Sequence, residues 1–191
     1  MESENSAFAF YAPKLYGEYC DVLGELFRND PALSWNFSNS IFPAATINFG
    51  PHTVRFDHLD SANSAAGWCD IVAMGDYDFH KGGHLVLFDI KMVIAFPPGS
   101  HILIPSATMR HGNTPVQPHE TRLGFTQYAA GGLFRWVENG CQTMKDAARW
   151  DPDLRARLDQ EAPGRFEKLL HLYSKLDNVV SDRQTVFSKG P

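Results

Sequence analysis

The chain has 191 residues, enough for one domain with a sizeable core, and its 43% hydrophobic and 13% aromatic content is that of a packed globular protein rather than a disordered one. Its formal net charge of -5, with no Lys/Arg run longer than two, argues against tight binding of nucleic acid through phosphates alone. No apolar stretch approaches the roughly eighteen residues needed to cross a bilayer, so no membrane association is expected.

The N-terminus, MESENSAFAF, lacks the basic-then-apolar pattern of a secretory leader. Cys20, Cys69 and Cys141 are far apart and form no CxxC pair, so they read as isolated, buried thiols of a reduced intracellular protein, cytoplasmic or nuclear. In the first stretch, to about Asn39, Leu15, Tyr16, Tyr19, Val22, Leu23, Leu26 and Phe27 recur at three- and four-residue spacing. That spacing predicts an amphipathic helix, with Pro13 in its first turn and Asn29-Asp30-Pro31 ending it. Residues 1–40 are thus expected to form a helical cover over one face of a sheet.

From Ile41 to Val137 the pattern changes to short apolar, β-branched or aromatic segments between Gly/Pro/Asn turns. Eight strands are expected: Thr46–Phe49, Thr53–Phe56, Trp68–Met74, His84–Phe88, Met92–Phe96, His101–Ile104, Arg122–Tyr128 and Leu133–Val137. So many short strands in about ninety residues argue for an antiparallel sandwich or barrel. Residues 142–191 read as short charged helices broken at Pro152 and at Pro163-Gly164, with Phe166, Leu169, Leu170, Leu172, Tyr173 and Leu176 as their buried face. The fold expected is mainly β with flanking helices, in a single domain over 1–191.

The chemistry-bearing residues fall on the β segments. His58-Leu59-Asp60 follows the strand-like Thr53–Phe56, and residues two apart in extended chain point to one side. His111 comes fifty-one positions later, after His101–Ile104 and the Pro105-Ser106 turn. Two imidazoles and a carboxylate on one face of a metal leave positions open, the facial arrangement that suits non-haem Fe(II) with a 2-oxo acid and O2. Arg122 starts a strand eleven residues after His111, and its planar guanidinium can hold the far carboxylate of 2-oxoglutarate in a two-point fork. Thr126 and Tyr128, on the parity of Arg122, add hydroxyls, and Asn48 is expected to join Arg122 and Thr126 around the co-substrate.

The segments FPAATINFGPHTVRFDHLDSAN, GWCDIVAMGDYDFHKGGHLVLFDIK, FPPGSHILIPSATMRHGNTPV and ETRLGFTQYAAGGLFRWV carry a further signal. Over Phe42 to Val137 the chain resembles the TET/JBP family of Fe(II)/2-oxoglutarate dioxygenases, especially its small stand-alone members. The resemblance implies a double-stranded β-helix (a jelly-roll or cupin-like core), iron on His58, Asp60 and His111, and Arg122 on the co-substrate. It implies oxidation of a methyl group on a nucleic-acid base, 5-methylcytosine in DNA first among them. Asn63 completes an H-x-D-x-x-N string whose asparagine reads the target base in that family; capping of the turn is the alternative. Gly124 departs from the hydroxyl residue that the resemblance leads one to expect two positions after the arginine.

His84 can line a pocket or pack in its strand, and Trp68 can stack on a base or belong to the core. The acidic charge and small size weigh against a duplex substrate, so the same oxygenase chemistry on a small metabolite, a nucleoside or a protein side chain stands as the alternative. A third possibility is a silent binding module on the same fold.

Overall fold

A computed structural model of the chain describes residues 2–188, with residues 2–6 described by backbone alone. The chain divides into two compact units: Phe42–Ala129, and a helical unit made of the chain up to Ile41 and from Ala130 onward.

The helical unit holds α1 (Glu2–Tyr11), α2 (Pro13–Asn29), α3 (Gly131–Glu138), α4 (Met144–Trp150), α5 (Pro152–Glu161), α6 (Arg165–Leu170) and α7 (Val179–Phe187). The helix expected from the spacing of Leu15 to Phe27 is α2. It begins with Pro13 in its first turn and turns Leu15, Tyr19, Leu23 and Leu26 inward. Tyr19 meets Phe8 at 5.2 Å and Phe134 at 5.1 Å between ring centroids, both edge-to-face. Helix α1 falls within the helical cover expected over residues 1–40, although its own stretch shows no helical periodicity. Pro152 opens α5, and Thr143 and Asp151 cap α4 and α5 by accepting the backbone N–H three residues on.

The buried face expected of the last helices is not there. Phe166, Leu170 and Leu176 are exposed, and Leu169, Leu172 and Tyr173 only half-buried. Phe166 and Leu170 lie four apart on one side of a six-residue helix, and that side is turned outward. Cys20 is exposed and Cys141 half-buried; of the three thiols only Cys69 belongs to a core. No helix among the described residues is long and apolar enough to cross a membrane.

The other unit is mainly antiparallel β: β1 (Ala44–Asn48), β2 (Cys69–Asp76), β3 (Leu85–Leu87), β4 (Met92–Ile94), β5 (His101–Ile104), β6 (His111–Asn113) and β7 (Thr121–Tyr128). They form a four-stranded sheet ordered β1-β7-β2-β5 and a three-stranded sheet ordered β4-β3-β6. One apolar core takes Cys69, Ala73 and Ile104 from the first sheet and Leu85 and Leu87 from the second, with Tyr77 and Phe96 from the loops. Two antiparallel sheets closed on one core make the sandwich that the turn spacing predicted, in the jelly-roll form that the family resemblance implied.

Three differences from the expected strands have physical reasons. Leu133–Val137 lies in helix α3: four apolar residues interrupted by Arg135 carry no period that separates strand from helix, and only one of them is β-branched. Thr53–Phe56 is extended but forms no strand ladder, being attached through isolated bridges on either side, His52 to Arg122 and His58 to His111. His111–Asn113 is itself a short strand, paired with β3, where only a turn was expected.

Candidate active site

Strand β7 supplies one wall. Its alternation puts Arg122, Gly124, Thr126 and Tyr128 on the face that lines a cleft of about 500 Å³. Strand β1 pairs with β7 so that Asn48 stands opposite Gly124 and Thr46 opposite Thr126, and both line the same cleft. The segment from His52 to His58 closes the opposite side. Thr53 N–H donates to the Arg122 carbonyl (3.1 Å), Arg55 and Asn113 exchange hydrogen bonds at 2.9 Å, and His58 and His111 exchange backbone N–H···O bonds at 3.1 and 3.0 Å. Gly112 makes this closure possible. A β-carbon there would lie 2.7 Å from the Arg55 carbonyl oxygen and 3.0 Å from that of Phe56, so a larger residue would push the segment off β6.

That juxtaposition brings the three expected metal ligands together. His58 Nε2 lies 3.6 Å from Asp60 Oδ1, and His111 Nε2 lies 3.8 Å from Asp60 Oδ2. One donor atom from each of the three residues falls within 4.8 Å of the others. Two donors on one ion at bonds of about 2.1 Å stand no more than about 4.2 Å apart, so both carboxylate–imidazole separations suit a shared metal.

Each imidazole is held by the carbonyl two residues earlier: His58 Nδ1 sits 2.8 Å from the Phe56 oxygen and His111 Nδ1 2.9 Å from that of Met109. A carbonyl accepts only, so both Nδ1 atoms carry a proton, and Nε2 is on each ring the nitrogen that could ligate a metal. Burial pushes the His111 pKa below the ordinary histidine value, against the pull of the Met109 carbonyl, and this favours the neutral, ligating form. Asp60 N–H donates to the Ser106 carbonyl at 3.0 Å, fixing the third ligand's backbone.

Arg122 is the other charged group of the cleft. It is 4% exposed, and burial lowers its pKa, offset in part by the Tyr77 hydroxyl. Its Nη1 reaches the Thr53 carbonyl at 3.4 Å, and its Nε finds no partner among the described residues. A buried guanidinium with an unmade hydrogen bond is costly unless something anionic completes it. The donor set and this open N–H fit Fe(II) and a dicarboxylic 2-oxo acid.

Of the remaining expected contacts, Asn48, Thr126 and Asn63 line the cleft. Asn63 also meets the capping alternative, since its N–H donates to the Asp60 carbonyl (2.9 Å) and its Nδ2 to Ser106 Oγ (3.0 Å). His84 and Trp68 are not among the lining residues. His84, half-buried just ahead of β3, has Nδ1 3.2 Å from Thr114 Oγ1, which also accepts the His84 N–H. Trp68 is half-buried just ahead of β2.

Sequence reasoning missed Arg55 and Asn113, both in the cleft wall. Arg55 Nη2 donates to Asn48 Oδ1, which leaves the Asn48 amide hydrogens for the cleft. A β-carbon at Gly124 would lie 3.6 Å from that amide nitrogen, so Asn48 stands over the place where a hydroxyl was expected. Asn113 was within reach of inspection, two residues beyond His111 on the same parity; for Arg55 no signal existed.

No protein-family model matches the chain. Among curated proteins there is also no match. Several solved structures are similar in fold, three of which follow. One is NgTET1 in complex with 5mC DNA, with 19% identity, 49% of this chain and 36% of that one covered, and a TM-score of 0.43. The second is the viral collagen prolyl hydroxylase of Paramecium bursaria Chlorella virus-1, in its 2OG complex, with 13% identity, 56% and 69% covered, and a TM-score of 0.33. A prolyl 4-hydroxylase structure from Phytophthora capsici follows, with 15% identity, 89% and 63% covered, and a TM-score of 0.35. The part of NgTET1 that the similarity spans is about a third of that protein's length.

Proposed function

We propose that this chain is an Fe(II)- and 2-oxoglutarate-dependent dioxygenase. One observation carries the proposal: a two-imidazole, one-carboxylate triplet and a buried guanidinium with an open N–H line a single cleft. His58, Asp60 and His111 would hold the iron, whose chemistry with 2-oxoglutarate and O2 is hydroxylation of a C–H bond, the 2-oxo acid ending as succinate and CO2.

The protein's own part is positioning. Arg122 offers its donors to the distal carboxylate and, being buried, does so without water competing. Thr126 stands on the Arg122 side of β7, and Asn48, steadied by Arg55, presents an amide next to Gly124. The carbonyl that each Nδ1–H donates to sets the ring so that Nε2 would be the ligating nitrogen. A dicarboxylate is favoured over a monocarboxylic 2-oxo acid, because only the former satisfies the buried guanidinium.

For the prime substrate we infer a methylated nucleic-acid base, with 5-methylcytosine in DNA first. The support is the family resemblance of the strings around His58 and His111, together with Asn63, whose side chain lines the cleft three residues after Asp60. A base in a duplex would have to leave the stack to reach such a cleft. The net charge of -5 favours a second reading, the same chemistry on a small metabolite or free nucleoside.

The test incubates the protein with Fe(II), ascorbate and 2-oxoglutarate under air, with a methylcytosine duplex, the unmodified duplex, the free nucleoside or no substrate. Succinate release and base oxidation are measured together. Succinate formed in step with hydroxymethyl product on the methylated duplex alone supports the first substrate. Equal succinate in every arm keeps the oxygenase and discards the duplex. No succinate anywhere discards both.

A further inference from the structure

Between each candidate iron imidazole and the carbonyl that orients it lies one residue: Asp57 between Phe56 and His58, and Arg110 between Met109 and His111. These two residues are joined by a two-point ion pair. Arg110 Nε donates to Asp57 Oδ1 at 3.0 Å, and Nη2 donates to Oδ2.

We propose that the Asp57–Arg110 pair is a clamp that sets the spacing and ring orientation of the two iron-ligating histidines. This rests on the metal-centre reading above, and it makes Asp57 and Arg110 positioning residues rather than catalytic ones.

The two halves of the clamp are unequally anchored. Arg110 is built into the sheet: its N–H donates to Asp89 Oδ2 at 2.7 Å, and its carbonyl accepts from Phe88 N–H at 2.9 Å, next to the Leu87–His111 pair of β3 and β6. Asp57 belongs to a segment that forms no strand; two isolated bridges and the hydrogen bonds of Thr53 and Arg55 attach it, in place of a continuous ladder. The ion pair therefore ties the irregular ligand segment to the one next to the sheet, one residue away from both candidate ligands. The planar fork matters here, since two parallel bonds fix an angle as well as a distance.

The arginine side chain is 55% exposed, so the pair contributes little to global stability. Groups that orient metal ligands instead typically change metal affinity about 10- to 100-fold.

Charge alone makes the opposite prediction for one partner, which allows a clean separation. Removing the Arg110 cation would tighten a divalent ion nearby, and removing the Asp57 anion would loosen it. A clamp makes both changes loosen it, and by the same factor, because each destroys the same pair.

The experiment titrates metal-free protein with Co(II), reading affinity and the visible absorption band of the bound ion. The proteins are wild type, Arg110→Met, Arg110→Lys, Asp57→Asn and the double variant Asp57→Asn/Arg110→Met. The clamp predicts about tenfold or greater weakening in each uncharged single variant and an altered band. The double variant is no weaker than either, and Arg110→Lys recovers part of the loss, since an ammonium cannot make the fork. Tighter binding by Arg110→Met, or unchanged affinity and band in it, overturns the proposal. If Arg110→Met does not fold, Arg110→Lys decides: wild-type affinity and band overturn the clamp, and weaker binding with an altered band supports it. Wild-type protein that binds no Co(II) overturns the metal centre, and the clamp falls with it. Wild type that binds while the variants match it overturns the clamp alone.

Discussion

Arg122→Met separates what the buried arginine does for binding from what it costs the fold. The guanidinium is 4% exposed, its Nε has no partner among the described residues, and its hydrogen bond to the Thr53 carbonyl is long at 3.4 Å. Two charge-assisted hydrogen bonds to the distal carboxylate of 2-oxoglutarate are lost in the variant. A net loss of about 3 kcal/mol is expected, equivalent to a roughly 150-fold rise in the KM for 2-oxoglutarate. Methionine fills the same volume without a charge that burial has desolvated, so the ligand-free protein should be as stable as wild type or more so. A gain of about 1 kcal/mol raises Tm by about 2–4 °C in a chain of this size. The assay pairs steady-state succinate formation against 2-oxoglutarate with thermal unfolding of ligand-free protein. An unchanged KM, or a variant destabilised by more than about 2 kcal/mol, would refute the reasoning.

Gly112→Ala places a β-carbon against the carbonyls of Arg55 and Phe56, at about the cost of overpacking, 1–3 kcal/mol, and separates His58 from His111. Co(II) binding should weaken more than unfolding free energy falls. Gly124→Ser adds a hydroxyl facing Asn48 with no clash, since its β-carbon would sit 3.6 Å from Nδ2. One added hydrogen bond to the co-substrate, about 1 kcal/mol, predicts a roughly fivefold lower KM with stability unchanged. Burial pushes the Cys69 thiol up to about 12 from an ordinary value of 9.0, so the folded protein keeps a proton that the unfolded chain releases. The stability this supports is whole below pH 9 and falls by about 1.4 kcal/mol per pH unit above it, toward pH 12. Denaturant melts of Cys69→Ala should show that alkaline slope removed, at a neutral-pH cost of about 1–2 kcal/mol.

The parts of the site that sequence could reveal are those governed by strand parity. His58 and Asp60 two apart, and Arg122, Thr126 and Tyr128 at even spacing, share a side because extended chain alternates, whatever pairs with it. The strands bounded by turn residues were legible for the same local reason. What escaped depends on partners far away in the chain. Arg55 enters the cleft wall because its segment lies on β6, and that contact requires Gly112, which looks like any loop glycine beforehand. The Asp57–Arg110 pair links positions fifty-three apart that local pattern gives no reason to join. Leu133–Val137 failed as a strand because so short a run, four apolar residues around Arg135, does not define a period, and Phe166, Leu170 and Leu176 failed as a core because short broken helices do not keep one face inward.

The central claim, iron held by His58, Asp60 and His111 with 2-oxoglutarate consumed beside it, meets its most direct test in Fe(II)-dependent succinate formation by wild type and His111→Ala. His111 is nearly buried and hydrogen-bonded through Nδ1, so alanine removes one ligand while leaving the backbone exchange with His58 in place. The account predicts succinate from wild type only when Fe(II) is supplied, and none above background from the variant, with both proteins folded. Equal succinate from the two proteins, or none from iron-loaded wild type, would contradict it.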